Sequence, residues 1–269
     1  MLDIVETSND ALLNRFRKTR AMTVALTADL QAEDMVVQSM PDVSPTKWHL
    51  AHVTWFFERF VLEPCGVERF KDDYHYLFTS YYNSVGEMHP RARRGELSRP
   101  TVAEILDYRA RVDEQMVQLF RKDRIPEDCR ATRLRGLHHE RQHQELLLTD
   151  IQHVLFGNSL APAARASLRR PPGTAAPAYE FNRGETGIVR IGHNSEGFCF
   201  DNETPSHDAL LHPHSVGNRL ITNGEYREFV KAGAYNEPAH WLSDGWAAIR
   251  QHGWNRPLYW DAALETEFT

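Results

Sequence analysis

Cysteine is scarce: only Cys65, Cys129 and Cys199 occur among 269 residues. They are too few, too far apart and odd in number for a disulfide framework, and no CxxC pair marks a zinc site. A reducing, cytoplasmic compartment is the simplest expectation. No apolar run nears the ~20 residues that a membrane helix needs. The opening MLDIVETSND is acidic and lacks the apolar core of a signal peptide. Strong charge is missing too. A net charge of −6 offers neither a nucleic acid nor a membrane surface an electrostatic footprint. The short basic stretch RARR at 91–94 is the local exception. What remains is an ordinary globular composition, 41% hydrophobic and 25% charged, long enough for one or two domains and a sizeable core.

Histidine is plentiful, with fourteen residues in clusters. The chain divides by pattern. Leu12, Leu13, Phe16, Met22, Ala25, Leu26 and Leu30 recur at helical spacing and predict a helix over 9–31. Ser44-Pro45 reads as an N-cap followed by proline at the first helical position, opening an aromatic-rich helix to Leu62 that Pro64 and Gly66 stop. A long connection over 67–98 has few helix signals. Thr101 and Glu104 form a capping box for a third helix to Phe120, and Pro126 opens a fourth that Gly157-Asn158 ends. Four long helices with one long crossover predict a bundle over 1–157. A linker rich in Ala, Pro, Arg and Ser follows over 158–181. From 182 to 269 strand-like pieces (GIVRIG, GFCF, ALLHPHSVGNRLI) and one helix capped by Thr222 predict a second, irregular unit. The fold class expected is α+β.

The chemistry concentrates in LHHERQHQELLL. His139 and His143, four residues apart, share a helix face that continues through Leu147, Ile151 and Leu155. Two imidazoles therefore head an apolar stripe, while His138 lies about 100° away. A metal needs a third ligand. His52 in KWHLAHVTWFF heads a second stripe with Trp55, Phe56 and Phe60, and His49, one turn earlier, competes with it. Glu140 and Glu145 read as solvated helix charges, Glu145 also as an acceptor that could orient a ligand imidazole. Three neutral imidazoles leave a divalent charge intact, which suits zinc hydrolysis or thiol transfer and equally iron(II) chemistry with dioxygen.

Three segments in order, SPTKWHLAHVTWFFERFVL at 44–62, RGELSRPT at 94–101 and LHHERQHQELLLTDIQHVLFG at 137–157, closely resemble the ergothioneine-biosynthesis sulfoxide synthases. Those proteins are similar to DinB-like helical bundles at the N-terminus and to formylglycine-generating-enzyme (C-type-lectin-like) domains at the C-terminus. GIVRIG, DNETPSH and ITNGEYREFVKAGAY resemble the opening of that second domain. The resemblance implies Fe(2+) held by His52, His139 and His143. It implies dioxygen-dependent joining of the sulfur of cysteine or γ-glutamylcysteine to hercynine, giving a sulfoxide. Arg91 and Arg94 resemble a family pair that binds the carboxylates of the thiol, a task the guanidinium fork suits. Arg93 and Arg99 are rivals for that role.

The resemblance also implies what should lie beyond residue 269: the tyrosine proton donor and most hercynine contacts. On this reading the second domain is incomplete, exposes apolar surface, and functions poorly unless another chain completes it. A DinB-like thiol transferase or hydrolase and a non-catalytic fragment are the competing readings, and a synthase of the ovothiol type is a fourth. Trp241, Trp246, Trp254 and Trp260 read as packing residues. The cysteines read as structural or incidental.

Overall fold

The computed structural model describes residues 8–80, 86–121, 127–165, 175–194, 197–261 and 263. The chain forms two compact units, Met1–Leu168 and Arg169–Thr269.

The first unit is helical. Helix α1 (Asn9–Leu26) starts where the Ser8 hydroxyl accepts the Ala11 amide. It stops short of the predicted 31 because the Thr27 hydroxyl and amide both bond to the Val24 carbonyl and turn the chain away. Helix α2 (Thr46–Phe57) buries all twelve of its residues. Ser44 does not cap it: Pro45 occupies the cap position, and the Ser44 side chain is drawn elsewhere, as described below. The helix then widens into a π turn over Glu58–Leu62 and tightens into a 3-10 turn over Glu63–Cys65, closed by Gly66 in the left-handed region at φ 81°. Within the connection expected to be irregular lie a short helix α3 (Asp73–Phe78) and a 3-10 segment Arg91–Glu96. Helix α4 (Val102–Phe120) carries the complete Thr101–Glu104 capping box. Helix α5 (Glu127–Phe156) is thirty residues long and ends at Gly157, whose amide bonds to the His153 carbonyl.

Helices α1, α2, α4 and α5 pack as a bundle in which α2 contacts both α4 and α5, and α1 contacts α5 and α4. Phe16, Trp55, Phe57, Leu62, Ile105, Tyr108, Met116 and Leu137 are essentially sealed from solvent. Each such side chain contributes about 1.5–3 kcal/mol relative to exposure. Gly136 lets α5 approach α2 closely, since a Cβ there would stand 2.6 Å from the Phe57 ring. Leu147, Ile151 and Leu155 are buried, so the apolar stripe continued from His143 faces inward as its spacing requires.

The second unit holds two antiparallel two-stranded sheets among its described residues. Strand β1 (Phe181–Arg183) pairs with β4 (Ser215–Gly217), and β2 (Gly187–Ile191) pairs with β3 (His207–Leu211), with Ile188 opposite Leu210. GFCF does not form a strand. The Phe200 amide bonds to the Glu203 carboxylate at 2.7 Å and caps a 3-10 turn instead of joining a ladder. Helix α6 (Asn223–Lys231) follows the Thr222 cap, and α7 (Ser243–His252) ends at Gly253. Trp241 packs with Phe229 and Tyr235, and Trp260 with Tyr226. Helical and antiparallel-sheet segments in one chain make the class α+β. No described helix is long and apolar enough to cross a membrane.

Candidate metal centre

The bundle brings together the three histidines that head the two stripes. One ligand-capable nitrogen from each of His52, His139 and His143 lies within 4.8 Å of the others. Ring centroids are 5.0 Å apart for His52 and His139, 4.7 Å for His52 and His143, and 4.6 Å for His139 and His143. Helical spacing on α5 supplies two rings, and the fully buried α2 presses the third against them.

The hydrogen bonds fix which nitrogens are available. His52 Nδ1 lies 2.6 Å from the Phe78 carbonyl, which can only accept. Nδ1 therefore carries the proton, and Nε2 presents a bare lone pair. That Nε2 faces His139 Nε2 at 3.2 Å. His139 Nδ1 is buried with no hydrogen-bond partner. If His139 donates from Nε2, its Nδ1 lone pair is stranded. If it is protonated at Nδ1, a buried donor is stranded and two lone pairs oppose each other. A cation held by the Nε2 atoms removes the lone-pair clash. Two nitrogens each ~2.1 Å from one ion stand about 3.0–3.4 Å apart, which matches the observed gap. The donor set therefore fits a divalent metal.

His49 is not the third member of the cluster but braces it. Its Nε2 donates to Asp150 Oδ2 at 2.9 Å, and its Nδ1 lies 2.9 Å from His143 Nδ1. A hydrogen bond from His143 Nδ1 to His49 Nδ1 leaves His143 Nε2 as the bare lone pair. Asp150 also accepts the Ser44 amide at 2.8 Å. Asp150 stands seven residues after His143 on the same helix face, a spacing by which the sequence could have revealed it. The expected acceptor Glu145 is exposed and takes no part.

The protonation states agree with ligation. Burial holds His52 well below the ordinary imidazole range, helped by His139, Arg94 and His49 against the Phe78 hydrogen bond. Burial lowers His139 to about 4. His143 is also lowered, first by burial and then by the neighbouring His52 and His139. All three rings are neutral at neutral pH.

Glu140 is a correction. It is not a solvated charge but is fully buried between α1 and α4. Its Oε2 accepts from Arg20 at 3.0 Å, and its Oε1 accepts from Arg109 at 2.5 Å and from Thr23 at 2.6 Å. Burial alone would raise the carboxyl, but Arg109, Arg20 and these hydrogen bonds hold it at about 2. Arg20 bonds further to Asp113 and to Thr54, which lies two residues after His52. The network thus joins four helices through residues next to His139 and His52 in the chain. His138 points away from the cluster and lies 3.0 Å from an Arg15 nitrogen.

A cavity of about 380 Å³ opens onto the cluster and is lined also by Trp48, Arg91, Arg94 and Asp150. Arg94 is buried. It donates to Ser44 Oγ at 2.8 Å and to Ser80 Oγ at 3.1 Å, and its guanidinium carbon lies 3.3 Å from the Trp48 ring centroid. His52 also stacks on Trp48, at 4.6 Å and 11°. Arg91 borders the same cavity, and one of its side-chain nitrogens donates to the Asp42 carbonyl. Arg93 instead pairs with Glu96 on the surface, and Arg99 is likewise exposed.

Residues 15–147, which carry all three histidines, match the model of the DinB superfamily. The helical unit is DinB-like. Beyond the DinB-like unit, similarity extends over most of the chain. A hercynine oxygenase of Mycolicibacterium thermoresistibile is 26% identical over 238 residues, 87% of this chain and 51% of that protein. One from Mycolicibacterium smegmatis is 26% identical over 94% of this chain and 58% of its own length. One from Mycobacterium tuberculosis is 26% identical over 97% and 60%. The chain therefore spans between half and three fifths of the length of these curated relatives.

Proposed function

We propose that this chain supplies the iron(II) centre and the thiol-binding wall of a sulfoxide synthase acting on hercynine. The observation that carries the reading is the gathering of His52, His139 and His143 from two helices, neutral and with lone pairs converging, beside a buried arginine. The kinship with hercynine oxygenases supplies the substrate class.

In this proposal the three imidazoles are the ligands, and the metal keeps its full divalent charge and open positions. Iron(II) in that place supplies one-electron chemistry toward dioxygen and a positive charge that favours a thiolate. Phe78 and the His49–Asp150 pair hold two of the rings in the productive tautomer. Arg94, and Arg91 beside it, would bind the carboxylates of cysteine or γ-glutamylcysteine, the fork of each guanidinium matching a carboxylate. Anchored there, the thiol sulfur would lie beside the cluster, and its encounter entropy would be spent before the reaction. Hercynine is the second organic substrate of the proposal. No residue of this chain is assigned as proton donor.

The test is anaerobic titration with iron(II) and with zinc, followed by exposure to dioxygen with and without thiol. The proposal expects one metal per chain, dioxygen uptake only with iron and thiol present, and at least a 100-fold loss of metal affinity in His52→Ala. Arg94→Lys should weaken thiol binding about 10-fold while leaving metal binding intact, since a point charge cannot form the paired bonds. Stoichiometric zinc with hydrolytic activity would instead favour a DinB-like hydrolase or thiol transferase. Unchanged metal affinity in His52→Ala would overturn the site.

A further inference from the structure

We propose that Cys65 and Cys129 form a dithiol pair that closes to an intrachain disulfide on exposure to a low-molecular-weight disulfide. Composition gives no hint of this, because the two residues stand 64 positions apart and no cystine framework exists. The fold brings their sulfurs to 3.1 Å. A disulfide bond is about 2.05 Å long, so closure needs roughly 1 Å of approach. Cys65 ends the 3-10 turn Glu63–Cys65, immediately before the chain swings away at Gly66, and it is partly exposed. Cys129 is buried in the first turn of α5. A side chain at the end of a short turn can supply the remaining approach by rotation about its Cα–Cβ bond, with both helices left in place.

The exposure difference sets the order of events. The Cys65 thiolate attacks one sulfur of the small disulfide, forming a mixed disulfide and releasing one small thiol. The Cys129 thiolate then attacks the Cys65 sulfur, forming the intrachain bond and expelling the second small thiol. Two protein thiols are oxidised, one small disulfide is reduced to two thiols, and both protein protons end on those thiols. The new bond would join the extension of α2, which carries His52, to α5, which carries His139 and His143. Cys129 stands ten residues before His139, about 15 Å along the helix, so the bond would tie the two helices together without entering the cluster. The closed loop would enclose Arg91, Arg94 and the whole of α4. Cys199, in the other unit, serves as an internal control.

The experiment is incubation of the full chain with oxidised glutathione, then intact-mass and tryptic mapping and thermal melting before and after dithiothreitol. Expected are a mass loss of about 2 Da, a peptide linking Cys65 to Cys129, and a melting temperature raised by about 5–10 °C. Dithiothreitol should reverse all three. Cys65→Ser should abolish the mass loss and the rise. Cys65→Ala repeats the test should the serine variant fold poorly. A glutathione adduct that persists on Cys65 while Cys129 stays a thiol would overturn the proposal. So would linkage through Cys199 or between chains.

Discussion

Two helices in this chain begin in the same way and end in different surroundings. Thr101 and Glu104 cap α4 with bonds of 2.8 and 3.2 Å, and Thr222 and Glu225 cap α6 with bonds of 2.9 and 3.2 Å. Yet α4 buries Ile105, Tyr108, Val112 and Met116 completely, whereas no residue of α6 is buried. The contrast holds across the two units. In the helical unit apolar stripes meet one another and even charges are enclosed. Among the described residues of the second unit Ile188 is 76% exposed and its cross-strand partner Leu210 64%. Local sequence decides where a helix starts. What the helix meets decides how much of its apolar face is removed from water, and so how costly a change on it becomes.

The sharpest way to break the contrast is at Glu140. Glu140→Ala leaves Arg20 and Arg109 as buried cations deprived of their shared carboxylate, and should cost about 3–5 kcal/mol in chemical denaturation. A loss below about 1 kcal/mol would show that the network is incidental. Next comes acid. His139 falls from an ordinary 6.5 to about 4 in the fold. Between those values the unfolded chain binds more protons at this residue, so the ring's contribution to metal-free stability falls as pH drops from about 6.5 to about 4 and levels off below. The slope is about 1.4 kcal/mol per pH unit for this ring. Urea melts across that window should show the slope reduced by that amount in His139→Gln. Gly136→Ala should cost about 1–3 kcal/mol despite alanine's better helix propensity, because its methyl would strike the Phe57 ring. Thr101→Ala and Thr222→Ala should each cost about 1 kcal/mol, in α4 and in α6 respectively. Equal losses there would show that capping acts independently of burial. Ile188→Ser, on the exposed sheet face, should change stability by no more than about 0.5 kcal/mol.

What the sequence discloses follows from the range of each interaction. The helix limits set by capping boxes, by Gly157 and by Gly66 depend on neighbours a few residues away, and they read directly. The inward face of α5 is legible for the same reason: His139, His143, Leu147, Ile151 and Leu155 repeat every four residues. Glu140 looks solvated in the sequence because its partners, Arg20 and Arg109, come from helices 120 and 31 positions away, and no local pattern announces them. Ser44 resembled a cap, but its hydroxyl accepts from Arg94, fifty positions later. The Cys65–Cys129 approach is equally non-local. The π turn at Glu58–Leu62 has no signature in propensity, since it continues a run of helix-forming residues.

The Phe78 carbonyl that receives His52 and the Ser80 hydroxyl that receives Arg94 sit two residues apart, where α3 ends and the chain becomes extended at Thr79. The azimuth of one imidazole and the reach of the guanidinium are therefore hung from a single short strap. Any shift of that strap, whether from a neighbouring loop or from an arriving anion, must turn both groups in concert, so neither can drift out of alignment while the other stays.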